Sequence, residues 1–544
     1  MSSGGSTGAN KRQLLVWAVA DGAAAERRGD WPGAIAAYRE AAGLQEELFE
    51  AQTTRLFAER LLGSAPDLTS RLAYACVRAD RLGDALVAIE TGRARMLTSA
   101  AMLAGFDLDA IADRSLRERM RRALDLLREY EQIRTDPSWY SPAASGPQIG
   151  ALHAEVKRLQ SEPGASGLTL PAAATLRRLA AGRRVVCLCA GESGGAALVV
   201  PADAGAPLEA VLLPGADLAA VAERTRSIAL VGRQLSDDPR AALDGIDACC
   251  GWLASAIVEP LLERLPDGAP ITFVATSWFS LLPLRAAWTA PPGGSPRHHP
   301  LDGVSVSAVP NLRVLDAVRR RPGPGLPAPV LIVADPAGNA THRSLPFARA
   351  EAAAIGHQWP VARSLIGPEA IRSVVVGELP RHAVAHFSCH ALSDAGQPLN
   401  SGILLASGKW LRVHDIMRLP FERGPLVVLS ACETAGIGRS APDEGVGLPA
   451  AFLQAGAKGV IASTWPVFDE STSLLMARLY DELEDVPGDT PLALSRAQAW
   501  LRAASRGALR DAARGYGMPE PEMAAPGPAP YAHPFYWAAF GYTG

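Results

Sequence analysis

From Pro270 onward the chain alternates short apolar, β-rich runs with helical segments, and this alternation constrains the fold more than any other feature. Beside VSVSAV, a short β-rich run that alternates with serine, the runs ITFVAT, PVLIVADP, HAVAHFSCH, PLVVLS and KGVIAST have strand length and are apolar at consecutive positions. That is the pattern of parallel strands covered on both faces, since a strand with one wet face would alternate. Between them, 311–320, 347–358, a stretch near 369–378, Val413–Leu419, 447–456, 471–484 and 491–505 read as helices, with Gly402–Ala406 and Lys409–Leu411 as further short strands. Alternation of this kind predicts a mostly parallel sheet flanked by helices on both faces, an α/β fold.

Upstream the period changes. Arg184–Ala190, Ala196–Pro201 and Leu208–Leu213 are separated by Gly or Asp turns and predict a three-stranded meander, followed by helices near 216–231 and 239–264. From Leu14 to Leu127 the pattern is helical. AAAERRGDWPGAIAAYREAA breaks at Gly29-Asp30 and restarts at Trp31-Pro32, and LAYACVRADRLGDALVAIETGRARML carries a turn read at Leu82-Gly83-Asp84. Small residues and glycine turns let two helices lie close, as in tetratricopeptide-like repeats, although these two turns lie farther apart than the ~34-residue period of that repeat. An ordinary helical bundle is the alternative. TDPSWYSPAASGPQ and SEPGASG have linker composition. The organisation expected is therefore a disordered N-terminus (1–13), a helical domain (14–127), a connection (128–170) and an α/β domain (171–544).

Composition excludes several functions. With 53 Lys+Arg against 56 Asp+Glu the formal charge is −3, and no basic stripe suggests direct nucleic acid or anionic membrane binding. MSSGGSTGANKRQLL is polar where a secretory signal needs an apolar core, and no run reads as the ~20 apolar residues of a membrane span. The seven cysteines are odd in number and lack paired zinc spacing, which predicts reduced thiols in a cytoplasmic protein. Cys187 and Cys189 share a strand face, and Cys249 and Cys250 are adjacent on a helix; all four are expected in packing. GIGRSAPDEGVG lacks the Gly-Lys-Ser/Thr ending of a phosphate loop, so no nucleotide and no other cofactor is expected.

Two strand ends concentrate the chemistry. HAVAHFSCH ends on His390, and GPLVVLSACET reaches Cys432. Ligands of open α/β sheets bind beyond the carboxyl ends of the strands, so a histidine and a cysteine there can face one another. Cysteine attacks a carbonyl near neutral pH when imidazole takes or stabilises its proton. Glu433 and Asp394 are near in sequence and are candidates to orient His390. No metal is expected, because His386 and His390 on one strand lie ~13 Å apart. His386 and Cys389 are read as buried packing residues.

HFSCHALSD, LSACETAGIG, DEGVGLPAAFLQAGAKGVIASTWPV and HPFYWAAFGYTG together resemble the CHAT domain, a caspase-like peptidase domain related to separase. The resemblance spans roughly 171–544, is most specific over 384–470, and includes helical repeats in front. It implies an α/β caspase-like fold with a catalytic core about 301–544, His390 and Cys432 as the catalytic dyad, and the backbone N–H groups of Ala391 and Cys432 as the oxyanion hole. Many relatives have glycine after the histidine; Ala391 departs from that. Asp469 lies where separase-like relatives keep an acid, and Asp469, Trp465, Asp443 and Glu444 are the candidate substrate-binding residues. The implied function is a bacterial cysteine endopeptidase acting on protein substrates, regulated by a protein partner on residues 14–127, in defence or programmed death. The alternative is a non-catalytic caspase-like scaffold.

Overall fold

A computed structural model describes residues 3–50, 65–93, 113–134, most of 151–162, and 172–544 apart from 267, 291–296, 326–327, 337–343, 360, 395–397, 422, 432–433, 435–442, 444–446 and 524–525. The strands in chain order are β1 (Arg184–Gly191), β2 (Gly194–Val200), β3 (Glu209–Leu213), β4 (Ile271–Ala275), β5 (Val306–Ala308), β6 (Val330–Ala334), β7 (Ala362–Ile366), β8 (Val384–Ser388), β9 (Ala391–Leu392), β10 (Gly402–Leu405), β11 (Lys409–Arg412), β12 (Leu426–Leu429), β13 (Gly459–Ser463) and β14 (Phe540–Thr543). Eleven form one sheet in the order β3-β2-β1-β4-β5-β14-β13-β12-β8-β6-β7, and β11-β10-β9 form a small second sheet. Within the large sheet the β1-β2-β3 meander and the β13–β14 pair are antiparallel, and the remaining neighbours are parallel.

Strand alternation assigns each side chain to a layer. Val186, Leu188, Phe273, Ile332, Val428 and Ile461 point to one face, where they meet the helices Pro239–Leu253, Pro346–Gln358 and Asp469–Asp485 in a single core. The opposite face is divided. Over β6, β8, β12 and β13, residues such as Val333, Phe387, Leu429 and Val460 pack with Phe452 of the helix Leu448–Ala455. Over β1, β2 and β4, Val185, Cys187, Cys189, Leu198 and Val274 pack against Leu15, Tyr38, Leu72, Cys76 and Ile89 of the N-terminal helices. The front helices therefore serve as the second layer of half the sheet. Each fully buried aliphatic or aromatic side chain here is worth roughly 1.5–3 kcal/mol of transfer free energy.

Polar contacts tie the helical layer to the strands. Glu26, 2% exposed, accepts the Tyr38 hydroxyl at 2.9 Å and the Glu192 N–H at 2.5 Å, which fixes the β1–β2 turn. Ser70 accepts the N–H of Ala190 at 2.7 Å. Glu90 accepts the N–H groups of Leu312 and Arg313 at 2.8 and 3.2 Å, capping the helix Leu312–Arg320 from the helical layer. Burial pushes the Glu90 carboxyl up to about 7, against the pull of those donors and of Arg313.

Several expectations are corrected. The first helix runs Ser3–Arg27, so residues expected to be disordered up to 13 are helical from Ser3. The first hairpin turns at Gly29 (φ 72°), and the Asp30 carboxylate accepts the Gly33 N–H at 3.0 Å to start the helix Trp31–Glu50. In the second hairpin, Leu82-Gly83-Asp84 is the first turn of the helix Leu82–Gly92. The reversal comes earlier, at Asp80 (φ 55°), because aspartate tolerates the left-handed region. Two elements lie where none was expected: β7, whose apolar run is interrupted by exposed Arg363 and Ser364, and the helix Arg506–Gly515, which buries only Leu509 and Ala513. The segment Pro239–Leu262 is long and apolar enough to cross a membrane by length and composition, but Ile246, Cys249, Cys250 and Leu253 face the protein core.

Gly191 lies where the helical layer comes closest to β1. A β-carbon there would meet the Glu26 carboxylate and the Tyr74 ring. Gly191→Ala should therefore destabilise the protein by roughly 1–3 kcal/mol, read as a lower denaturation midpoint, because the overpacked interface must shift.

Candidate active site at the ends of β8 and β12

β8 and β12 are adjacent and parallel, with Val428 beside His386 and Leu429 beside Phe387. His390 and Cys432 each follow that last registered pair by three residues, so both segments leave the sheet at the same carboxyl edge. Cys432, Glu433 and Glu444 themselves lie outside the described residues. The residues flanking Cys432 are held. The Ser463 hydroxyl of β13 donates to the Ala431 carbonyl at 2.5 Å, and the Ser463 N–H donates to the Thr434 hydroxyl at 2.9 Å. Thr434 and Ser463 are both essentially inaccessible.

On the other side, His390 opens the small sheet. Its carbonyl accepts the Leu404 N–H at 2.9 Å, and Ala391 pairs with Ile403. In an antiparallel ladder successive residues point their N–H and C=O to opposite sides, so the Ala391 N–H and C=O face away from β10. Ala391 is held in ordinary extended backbone, where a β-carbon causes no strain. The next strand end is braced as well. Asp335 (φ 42°) donates its N–H to the Ser388 carbonyl at 3.0 Å, and its carboxylate accepts Leu345 N–H and Arg349 Nε at 2.9 and 2.6 Å.

His386 and Cys389 are packing residues, as read from the sequence. The His386 ring, fully buried, pairs through Nε2 with Glu351 at 2.6 Å and through Nδ1 with the Tyr480 hydroxyl at 3.2 Å. The Cys389 thiol donates to the Val333 carbonyl at 3.2 Å, and burial pushes its pKa well up, which suits an inert thiol. Among the described residues no group of three His, Cys, Asp or Glu is arranged to hold a metal ion.

The four candidate substrate residues fare differently. Trp465 is 0% exposed and its Nε1 donates to the Phe535 carbonyl at 3.1 Å, so it is a core residue and cannot line a groove; the apolar bulk of its ring is satisfied inside. Asp443 is 7% exposed. It accepts the Ser277 N–H at 2.6 Å and lies 3.5 Å from Arg93 Nε, itself 4% exposed, at the end of the helix Leu82–Gly92. Asp443 therefore fastens its loop to the helical layer and does not face a substrate. Glu444 is outside the described residues.

Asp469 is different again. It is the first residue of the helix Asp469–Asp485 and is half-buried. Burial and the nearby Glu351 charge raise its pKa, and attraction to His390 opposes that rise. Among the described residues no side chain or N–H hydrogen-bonds to its carboxylate. Its neighbour Glu470 is the reverse case: buried, and accepting Glu522 N–H at 2.7 Å, Met523 N–H at 3.0 Å and the Tyr531 hydroxyl. Sequence reasoning missed Ser463, Thr434, Glu351 and Arg93, because each acts through a partner remote in sequence and no local pattern marks it.

Two stability measurements check these assignments. Ser463→Ala should cost about 1–3 kcal/mol, since it leaves buried partners of Thr434 and Ala431 unmade. Asp443→Ala should cost about 1–3 kcal/mol, since the buried Ser277 N–H loses its acceptor and Arg93 a nearby carboxylate, and denaturant titrations check it.

No curated protein sequence matches the chain. Among solved structures, the Saccharomyces cerevisiae separase–securin complex at 3.0 Å is similar with 10% identity and a TM-score of 0.50, covering 99% of this chain and 40% of that one. The same complex at 2.6 Å gives 10% identity and a TM-score of 0.49, covering 95% of this chain and 37% of that one. The Arg-specific cysteine proteinase gingipain R of Porphyromonas gingivalis gives 11% identity and a TM-score of 0.33, over 59% of this chain and 74% of that one. The chain thus spans about two fifths of the separase chains it matches. With the CHAT domain family model matching residues 247–544, more than half of its length, and with an all-helical layer in front of a caspase-like sheet, the chain belongs to the CHAT domain family.

Proposed function

We propose that the chain is a cysteine endopeptidase that cleaves protein substrates through His390 and Cys432. The observation that carries this reading is the in-register pair β8 and β12, whose ends lead over equal lengths to His390 and Cys432, with the half-buried Asp469 carboxylate, hydrogen-bonded to none of the described residues, near His390. The imidazole of His390 takes the Cys432 thiol proton, and the thiolate sulfur attacks the scissile carbonyl carbon. The oxyanion is held by the N–H groups of Ala391 and Cys432, donors that need no reorganisation. As the C–N bond breaks, His390 returns the proton to the leaving amine, leaving a thioester. His390 then takes a proton from water, the hydroxide oxygen adds to the thioester, and collapse releases the new carboxyl end and the free thiol.

Asp469 is the residue we assign to specificity, as the acid that receives a basic P1 side chain. A half-buried carboxylate without a partner is stabilised when a guanidinium arrives. The helical layer is the surface we assign to a regulatory protein partner, since it covers half the sheet and holds Asp443 through Arg93. The securin bound to separase in the similar structures is a precedent of that kind. The six described cysteines are all free thiols, in keeping with a reducing, cytoplasmic setting. A role in bacterial defence or programmed death accords with an enzyme held under partner control.

Cys432→Ala and His390→Ala should each abolish cleavage in N-terminal proteomics of expressing cells; cleavage retained by Cys432→Ala returns the chain to the scaffold reading. Asp469→Asn should lower kcat/KM for arginyl substrates about 100-fold, or ~3 kcal/mol, and leave neutral P1 substrates nearly unaffected. The sign of the pH dependence follows from the raised Asp469 pKa. The carboxylate must be ionised to bind arginine, so activity on arginyl substrates is lost as pH falls through a value above the ordinary aspartate range. Asp469→Asn should remove that acidic limb.

A further inference from the structure

We propose that two copies of this chain pair along the free edge of β3, joining their large sheets across a two-fold axis at Val211. The inference is independent of the peptidase reading.

The large sheet ends at β3 on one side and at β7 on the other. β7 carries exposed Arg363 and Ser364, polar residues of the kind that keep an edge from pairing. The centre of β3 has no such protection: between Glu209 and Leu213 it reads Ala-Val-Leu, and Leu212 is 51% exposed. The strand, its flanks and the residues that border it below all lie within the described residues.

Hydrogen bonding across the meander fixes which groups of β3 are open. The Leu188 carbonyl of β1 accepts the Thr276 N–H at 3.1 Å, so Leu188 turns toward β4, and Cys187 and Cys189 turn toward β2. Their partners Leu198 and Ala196 turn back to β1, which leaves Ala197 to bond Val211 of β3. By the same alternation the N–H and C=O of Ala210 and Leu212 point to the open edge. Among the described residues neither makes a hydrogen bond through these groups.

The side chains sort by face. Leu208 packs toward the N-terminal helices and Val211 toward the core on the opposite face, so Ala210 and Leu212 share the helical-layer face with Leu208. There they border a groove of about 480 Å³ whose wall includes Val77, Leu82, Arg78 and Asp80. Glu209 and Arg264 border the same groove on the Val211 side. Arg78 donates to the Tyr74 hydroxyl at 3.0 Å, and among the described residues none of the four charges forms an ion pair.

These features are self-complementary, which a two-fold interface requires. In the antiparallel register that overlaps both strands fully, Val211 lies opposite Val211, and Ala210 lies opposite Leu212 on either side of the axis. The open main-chain groups of the two copies then meet as two hydrogen-bonded pairs. Each exposed Leu212 lies beside a small Ala210 of the other copy. Each face presents one arginine and one carboxylate, a balance that meets its own copy without net repulsion. A strand from another protein would have to supply this match, whereas a second copy already carries it.

Sedimentation of the full chain across a concentration series should show a monomer–dimer equilibrium. Leu212→Lys should weaken the dimer about 100-fold, because by symmetry two leucines leave the interface. Cross-linking tests the register in a Cys432→Ala background, where the six described native cysteines are buried. Val211→Cys should give an oxidised dimer on a non-reducing gel, since a non-hydrogen-bonded pair sits ~4.5 Å apart at Cα, within disulfide reach. Glu209→Cys, ~14 Å from its own copy in this register, should not. A chain that stays monomeric at every concentration overturns the proposal and leaves the edge to a strand of another protein. So does a dimer that Leu212→Lys leaves intact, or one that Glu209→Cys cross-links as readily as Val211→Cys. Should Leu212→Lys not fold, the two cysteine variants decide alone.

Discussion

The pairing of β8 with β12 in the middle of a sheet covered on both faces is the constraint on which the rest depends. A strand with no wet face must carry apolar side chains at every position and pair every main-chain group. Polar chemistry is then confined to the strand ends. His386 is the exception inside β8, and it is tolerated because Glu351 and Tyr480 satisfy both ring nitrogens. That buried carboxylate also contributes to the raised pKa of Asp469, so the internal network reaches the site electrostatically.

The sheet also explains the place of the N-terminal helices. One face is covered throughout by a single helical core, but the other is split, and the β1-β2-β4 half lacks helices from its own connections. The front helices supply that missing layer. Their contacts are buried and specific: Glu26 with the β1–β2 turn, Glu90 with the start of the helix Leu312–Arg320, and Arg93 with Asp443. Asp443 lies in the chain between Cys432 and the helix Leu448–Ala455, so the helical layer bears on the segment that follows the candidate nucleophile.

Much of this was legible in the sequence. The apolar runs that became β4, β6, β8, β12 and β13 were readable because burial on both faces leaves a continuous pattern. The first helical hairpin was readable from Gly29 and Asp30, whose turn and capping chemistry is local. The second was misplaced by a few residues, since Asp80 adopts the left-handed conformation that glycine usually signals. β7 escaped because Arg363 and Ser364 are exposed on an edge strand and interrupt the apolar period. Within the candidate site, Cys389 is assigned to packing by strand alternation, and His386 by its distance along the strand from His390. Trp465 was misassigned because an aromatic residue beyond a strand end looks the same in sequence whether it lines a groove or fills the core.

By itself the sequence determined the element types, the mostly parallel sheet, and the pair of strand ends carrying His390 and Cys432, because these follow from local propensity and periodicity. Tertiary structure alone decided the strand order, the helical front as a layer of the sheet, the burial of Asp443 against Arg93, and the placing of half-buried Asp469 near His390. Each of these depends on which distant segments meet, and a charge such as Asp443 or Asp469 acquires its role only from the partner that folding brings to it or withholds.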